Sequence, residues 1–277
     1  MNQLKAKKRI EQFLLEDVGD HDLTSEILFP KNTTARATIM AKDIGVLAGT
    51  ELIELTYHLI DPTIEVVVIK NDGADLAKGE TIATVTGNVQ SILTGERVVL
   101  NLLQRMCGVA TLTNQAVKAL GSKQTKVLDT RKTTPGLRMF EKYAVTCGGG
   151  YNHRYGLYDG VMIKDNHIAH YGSISKAVEQ VKTKLGHMVK VEVETENQDQ
   201  VVEAVRAGAD IIMFDNQSPE EIVAAIQYVP DSIVTEASGN INLTNIHSYR
   251  DCGVDYISLG FITHSAIALD ISMNIDL

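Results

Sequence analysis

From Lys126 onward the chain repeats one unit, an apolar strand-like run followed by an amphipathic stretch, with a period of roughly twenty to thirty residues. The apolar runs fall at 126–129, 160–163, 189–193, 210–214, 233–234 and 255–259. Helices are predicted between them over 174–185, 198–207, 219–228 and 243–252. Continuous apolar strands alternating with helices pair in parallel and are covered by the helices. The residues after each run narrow the fold further. The runs lead into Arg131-Lys132, Lys164, Glu194, Asp215, Glu236 with Ser238-Gly239-Asn240, and Leu259-Gly260. Polar groups thus recur at the carboxyl ends of successive strands, where α/β barrels build their sites. An open doubly wound sheet usually carries a glycine-rich fingerprint after its first strand, and neither G-x-G-x-x-G nor the P-loop pattern occurs. The expected class is α/β, with a barrel in the C-terminal part.

The first part has a different texture. Leu4, Ile10, Phe13 and Leu14 mark a leading amphipathic helix, and strand-like runs occupy 35–40, 64–69 and 81–85. The segment NDGADLAKGETIATVTGN places Asp72-Gly73 and Lys78-Gly79 around alternating apolar residues, which reads as hairpins. It superficially resembles a lipoyl or biotinyl carrier, but Lys78 lacks the motif such a carrier needs. From 91 to 120 the pattern is helical, with Val98, Val99, Leu102, Leu103 and Met106 forming a stripe and Arg97 and Arg105 near its edge. The expected division is 1–105 for an N-terminal α/β domain and 106–277 for the barrel domain carrying the site, the last residues being free to return to the first domain.

The 277 residues suffice for one large core or two unequal domains. A net charge of -9 excludes a diffuse nucleic-acid surface, and no apolar stretch approaches membrane-spanning length. The N-terminus has no uninterrupted apolar h-region, and Glu11, Glu16 and Asp17 come too early for a transit peptide. Cys107, Cys147 and Cys252 are widely spaced and form no C-x-x-C pair, which points to reduced thiols and a cytoplasmic protein. Cys147 reads as a small buried filler, because no base is fixed beside it.

Against this acidic background, residues 129–166 gather Arg131, Lys132, Arg138, His153, Arg154 and Lys164 beside Gly148, Gly149, Gly150 and Gly156. Single cations are usually solvated surface charges. Six of them among tightly turning glycines point to a pocket for a small polyanion, since Arg donates in planar pairs and Lys supplies a movable charge. Glu194 and Asp215 stand at equivalent places in successive units, where they suit Mg²⁺ or pair with the neighbouring cations. Ser238-Gly239-Asn240 and Gly260 come after the last two strands, the usual place for a barrel phosphate site. His153 either contacts the ligand or is a core histidine. His167 and His170 have a metal-like spacing, but no third ligand accompanies them.

TRKTTPGLR, GGGYNHRYGLYDGVMIKDNH, VEVET, GADIIMFDN, TEASGNI and GVDYISLG closely resemble the quinolinate phosphoribosyltransferase family, the decarboxylating nicotinate-nucleotide pyrophosphorylases. EDVGDHDLTS and TGERVVLNLLQRMCGVAT extend the resemblance over nearly the whole chain. It implies an N-terminal α/β sandwich, an incomplete α/β barrel, and a homodimer whose sites are shared. It implies transfer of phosphoribose from phosphoribosyl pyrophosphate to quinolinate with loss of CO₂ in NAD biosynthesis. Carried over by position, Arg131, His153, Arg154 and Lys164 surround the quinolinate carboxylates, and Arg97 completes the pocket from the partner subunit. Thr130 and Lys132 lie toward the phosphoribosyl donor, Glu194 and Asp215 toward the ribose and Mg²⁺-pyrophosphate. Ser238, Gly239, Asn240, Leu259 and Gly260 line the 5′-phosphate loops, with His264 close by. A paralogous family of molybdate-transport loci shares many of these motifs but lacks the full set of cations. A barrel aldolase using Lys164 as a Schiff-base lysine is a reading from a different enzyme class, and a non-catalytic phosphometabolite-binding module is another.

Overall fold

The computed structural model describes residues 1–276. In chain order the elements are α1 (Gln3–Val18), α2 (Leu23–Leu28), β1 (Thr34–Ala41), β2 (Gly45–Val46), α3 (Glu51–Ile60), β3 (Glu65–Val68), β4 (Asp75–Leu76), β5 (Thr81–Asn88) and the long helix α4 (Val89–Leu120). They continue as β6 (Lys126–Leu128), α5 (Arg138–Cys147), β7 (Val161–Ile163), α6 (Asp165–Tyr171), α7 (Ile174–Lys182), β8 (Val191–Thr195) and α8 (Gln198–Ala207). The chain closes with β9 (Ile211–Asp215), α9 (Pro219–Ile226), β10 (Val234–Ser238), β11 (Tyr256–Ser258), α10 (Phe261–His264) and β12 (Ile271–Asp276).

Two compact units result. The first holds Met1–Asn114, Thr134–Gly149 and the chain from Ser265 onward. Its antiparallel sheet runs β12-β1-β5-β3. Strand β1 alternates in burial, so Ala35, Ala37, Ile39 and Ala41 face a core shared with Ile53, Tyr57, Val85, Ile92 and Leu103. One expectation fails here. Strands β4 and β5 do not form a hairpin, because β4 pairs with β2 in a separate two-stranded sheet while β5 pairs with β1 and β3. The turn at Gly79, with φ +84°, is real but redirects the chain between sheets.

The second unit holds Gln115–Thr133 and Gly150–His264. Its six strands are parallel in the order β6-β11-β10-β9-β8-β7. The edge strands β6 and β7 are not paired with each other, and beyond β6 a parallel bridge joins Leu128 to Tyr151. The barrel is therefore open, as the resemblance implied. Helix starts are fixed by side-chain caps: Ser173 on α7, Asn197 on α8, and a Ser218–Glu221 capping box with Pro219 on α9. Asn197 and Ser218 come within three residues of the ends of β8 and β9, whereas Ser173 follows α6.

The helix predicted over 243–252 is reduced to a short 3₁₀ turn at Ile246–Tyr249. The Asn242 carboxamide oxygen accepts from Thr244 N and Oγ1, and Asn245 Oδ1 accepts from Asn242 N. Such local side-chain bonds satisfy the backbone without a helix.

Candidate active site

The carboxyl ends of the barrel strands enclose a pocket of about 810 Å³. Thr130, Arg131, Lys132, His153, Arg154, Lys164, Glu194, Asp215, Ser238, Gly239, Asn240, Gly260 and His264 all line it. Leu259 does not. Its side chain is buried and its N–H bonds to Leu128 O, so it belongs to the sheet while its neighbours Ser258 and Gly260 face the pocket. Arg97 lies on α4 in the first unit, 59% exposed and 3.9 Å from Glu96. Arg138 opens α5, also in the first unit.

His153 and Arg154 come from one hydrogen-bonded loop between α5 and β7. Asp129, just beyond β6, accepts from Asn152 Nδ2 at 2.6 Å and from His153 N at 2.9 Å. Asp159 accepts from Tyr155 N at 2.6 Å and Gly156 N at 2.9 Å, closing the next turn. Arg154 then donates from one terminal nitrogen to Gly160 O at 2.8 Å and reaches Met162 Sδ with the other. Burial and the neighbouring charge of Arg131 hold its guanidinium below the usual arginine range. Two like charges lining one pocket suit an anion.

Lys164 forms an ion pair with Glu194, and its side chain is 43% exposed. Burial raises the Glu194 carboxyl above its ordinary value, opposed by Lys164 and reinforced by Asp215. Asp215, the last residue of the neighbouring strand β9, also accepts from Asn216 Nδ2 at 2.8 Å. Two interacting carboxylates at adjacent strand ends form a hard-oxygen donor set suited to Mg²⁺.

The opposite rim is glycine-rich. Gly239 adopts φ +88°, and a Cβ there would lie 2.8 Å from Asn216 N, so a side chain is excluded by both conformation and space. Gly260 leaves room for Lys132, whose Cδ would stand 2.9 Å from an added Cβ. Thr263 Oγ1 donates to Lys132 O at 2.8 Å, and Lys132 N donates to Thr130 Oγ1 at 3.0 Å, which fixes the lysine backbone beside that loop.

Beneath this surface, Glu192 and Glu236 approach His153. Burial, with the Glu192 charge next in effect, pushes the Glu236 carboxyl upward. The strand-end pattern does not single out Glu192, although alternation along β8 puts Glu192 and Glu194 on one face of a buried strand. Ser258, Asn216 and Met213 also line the pocket without a motif that marks them. His167, by contrast, accepts from Lys164 N at 3.0 Å and serves the α6 cap. The three thiols are free, and burial raises Cys107 to about 12 and both Cys147 and Cys252 to about 11, which leaves no activated nucleophile among them.

The N-terminal and C-terminal domain models of quinolinate phosphoribosyl transferase match residues 22–107 and 109–274. A probable nicotinate-nucleotide pyrophosphorylase [carboxylating] of Bacillus subtilis is 51% identical over all of this chain and 96% of its own length. A mitochondrial quinolinate phosphoribosyltransferase [decarboxylating] of Nicotiana glauca is 39% identical over 98% of this chain and 82% of its own. Among solved structures, NadC from Streptococcus pyogenes superposes with a TM-score of 0.96 at 42% identity, covering 100% of this chain and 98% of that one. With both domains matched in order along the sequence, and with the fold shared over its full length, the chain belongs to the quinolinate phosphoribosyltransferase family.

Proposed function

We propose that this chain transfers phosphoribose from phosphoribosyl pyrophosphate to the ring nitrogen of quinolinate and releases the 2-carboxylate, giving nicotinate mononucleotide, pyrophosphate and CO₂ for NAD biosynthesis. The observation that carries this reading is the gathering of Arg131, Arg154 and Lys164 in the same pocket as the glycine loops. Three cations exceed what a monocarboxylate needs and match a dianion. Lys132 extends toward Gly260, a loop position suited to the donor's phosphates.

The chemistry asks for charge placement more than for covalent catalysis. Positive character develops at the sugar as its bond to pyrophosphate breaks, and Glu194 and Asp215 lie where they would stabilise it. Lys132 complements the negative charge left on the departing pyrophosphate. Mg²⁺ would be held by Glu194 and Asp215, directly or through water and substrate, and would neutralise the pyrophosphate oxygens. Loss of CO₂ leaves carbanion character beside a cationic ring nitrogen, so the nucleotide stabilises its own intermediate while Arg131 and Arg154 orient it. A Schiff-base role for Lys164 finds no support in its surroundings, an exposed ion pair and not the desolvated site such an amine requires.

A homodimer sharing its sites is part of the proposal. Exposed Leu4, Leu15, Leu23, Ile27 and Leu28 on α1 and α2 supply apolar surface for association, and the exposed Arg97 would enter the partner's acceptor pocket. Free thiols fit a cytoplasmic setting. Among the described residues, no helix is long and apolar enough to cross a membrane. Incubation with quinolinate, phosphoribosyl pyrophosphate and Mg²⁺ tests the reading. Nicotinate mononucleotide and CO₂ should form together, and failure of either product to appear with active, folded protein contradicts it.

A further inference from the structure

His153 Nε2 lies 3.1 Å from Glu192 Oε2 and 3.6 Å from Glu236 Oε2. The carboxylates come from β8 and β10 and are only 3% and 2% exposed. Three such atoms within 4.8 Å of one another would suit either a divalent cation or a hydrogen-bonded network. The other ring nitrogen decides between them. Nδ1 accepts the backbone N–H of Arg154 at 2.7 Å. A backbone N–H only donates, so Nδ1 must present its lone pair and the ring proton must sit on Nε2. A protonated Nε2 has no lone pair for a metal. The same bond excludes the imidazolium, which would place a donor on Nδ1 as well.

We propose that Glu192 is a positioning residue for the acceptor, holding His153 as a neutral, Nε2-protonated imidazole that orders Arg154, with Glu236 packed beside the pair. This rests on reading the pocket around Arg131 and Arg154 as the acceptor site. His153 then supplies shape and a backbone anchor, and the positive charge comes from its neighbours. The chain of contacts is short: the buried Glu192 accepts from Nε2, the ring accepts from Arg154 N, and the Arg154 guanidinium is held by Gly160 O. Asp129 pins the His153 backbone from the other side. Without the Glu192 carboxylate the ring would lose its Nε2 anchor, and its bond to the Arg154 backbone would weaken.

Two measurements on the full-length enzyme test this. Long-range nitrogen–proton NMR of the histidine rings, with His153 assigned by its loss in His153→Phe, should show a pyridine-type Nδ1 and a pyrrole-type Nε2 at neutral pH. An imidazolium pattern, or a proton on Nδ1, would overturn the proposal. Kinetically, Glu192→Ala should raise KM for quinolinate about tenfold while KM for phosphoribosyl pyrophosphate changes less than about twofold. Glu192→Gln, whose amide oxygen can still accept from Nε2, should restore the quinolinate KM to within about threefold. Equal rises in both KM values without rescue by Gln would overturn the positioning role. If Glu192→Ala does not fold, a Glu192→Gln enzyme with a quinolinate KM raised about tenfold or more overturns it too. The NMR arm needs no turnover, so a wrong tautomer is distinguishable from a wrong acceptor.

Discussion

Asn240 Nδ2 donates to Asn216 Oδ1 at 2.9 Å, joining the loops after β10 and β9, and both residues adopt left-handed backbone with φ 54° and φ 55°. They are the two non-glycine residues with positive φ among those described. Asn216 N also donates to Ser238 O at 2.8 Å, and Asn245 Nδ2 donates to Asn240 O at 3.0 Å. Asparagine tolerates this conformation better than most other side chains, so backbone conformation and hydrogen bonds together set the shape of this side of the pocket, where the donor's phosphate is proposed to bind.

Asn216→Ala should therefore weaken donor binding in particular. It removes the bridging bond and leaves a non-glycine residue in the left-handed region, together costing about 1–2 kcal/mol. KM for phosphoribosyl pyrophosphate should rise roughly tenfold, with little change for quinolinate. Steady-state kinetics with each substrate varied in turn checks this, and Asn216→Gly, which keeps the backbone, should show a smaller effect.

Glu194→Gln or Asp215→Asn should lower turnover far more than quinolinate affinity, because the role proposed for these carboxylates is toward the sugar and Mg²⁺-pyrophosphate. Loss of one such stabilising charge is worth about a hundredfold or more in kcat. Calorimetric titration of quinolinate beside kinetics separates the two effects. Collapse of quinolinate binding would place both residues in the acceptor pocket.

The site is legible in the sequence where one rule governs many positions. Polar residues after Leu128, Ile163, Val193, Phe214 and Ala237 mark the strand ends, and parallel pairing does bring them to one pocket. Leu259 misleads because a single strand-end position, taken without its burial, does not say which neighbours face inward. The partners of His153 are illegible for a related reason: Glu192 and Glu236 come from strands separated by β9, and spacing along the chain says nothing of their convergence. In the first unit, alternation reveals β1 and β5, but pairing partners depend on the whole sheet, so a hairpin of β4 with β5 is the wrong pairing.

Glu236 also gives a pH signature. Its folded carboxyl titrates above the ordinary 4.5, chiefly through burial. A carboxyl raised on folding contributes stability that is full below its unfolded pKa and is lost as pH rises through the folded one. Glu236→Gln, neutral at every pH, should thus gain thermal stability relative to wild type as pH rises above 4.5. Melting curves across acid, neutral and mildly alkaline pH check this, and a constant difference would contradict it.

Arg97 should act in trans. Arg97→Ala and Lys164→Ala, each inactive, should complement when mixed and allowed to exchange subunits. A mixed dimer would hold one site lacking both residues and one intact site, restoring up to about half of that dimer's activity. Exchange confirmed by mass spectrometry without recovery would place Arg97 in the pocket of its own chain.

The central claim is that Arg131, Arg154 and Lys164 form an acceptor site for a dianion that loses one carboxylate only after phosphoribosyl transfer. Quinolinate should be used far better than nicotinate, since the monoacid lacks the second carboxylate that would bond to these cations, a loss of about 1.5–3 kcal/mol. The most direct measurement uses quinolinate labelled separately in its 2- and 3-carboxylates. Label from the 2-position should appear in CO₂, in step with pyrophosphate and only when phosphoribosyl pyrophosphate is present, while label from the 3-position stays in the nucleotide. Release of CO₂ without the phosphoribosyl donor, or comparable kcat/KM for nicotinate, would contradict the account.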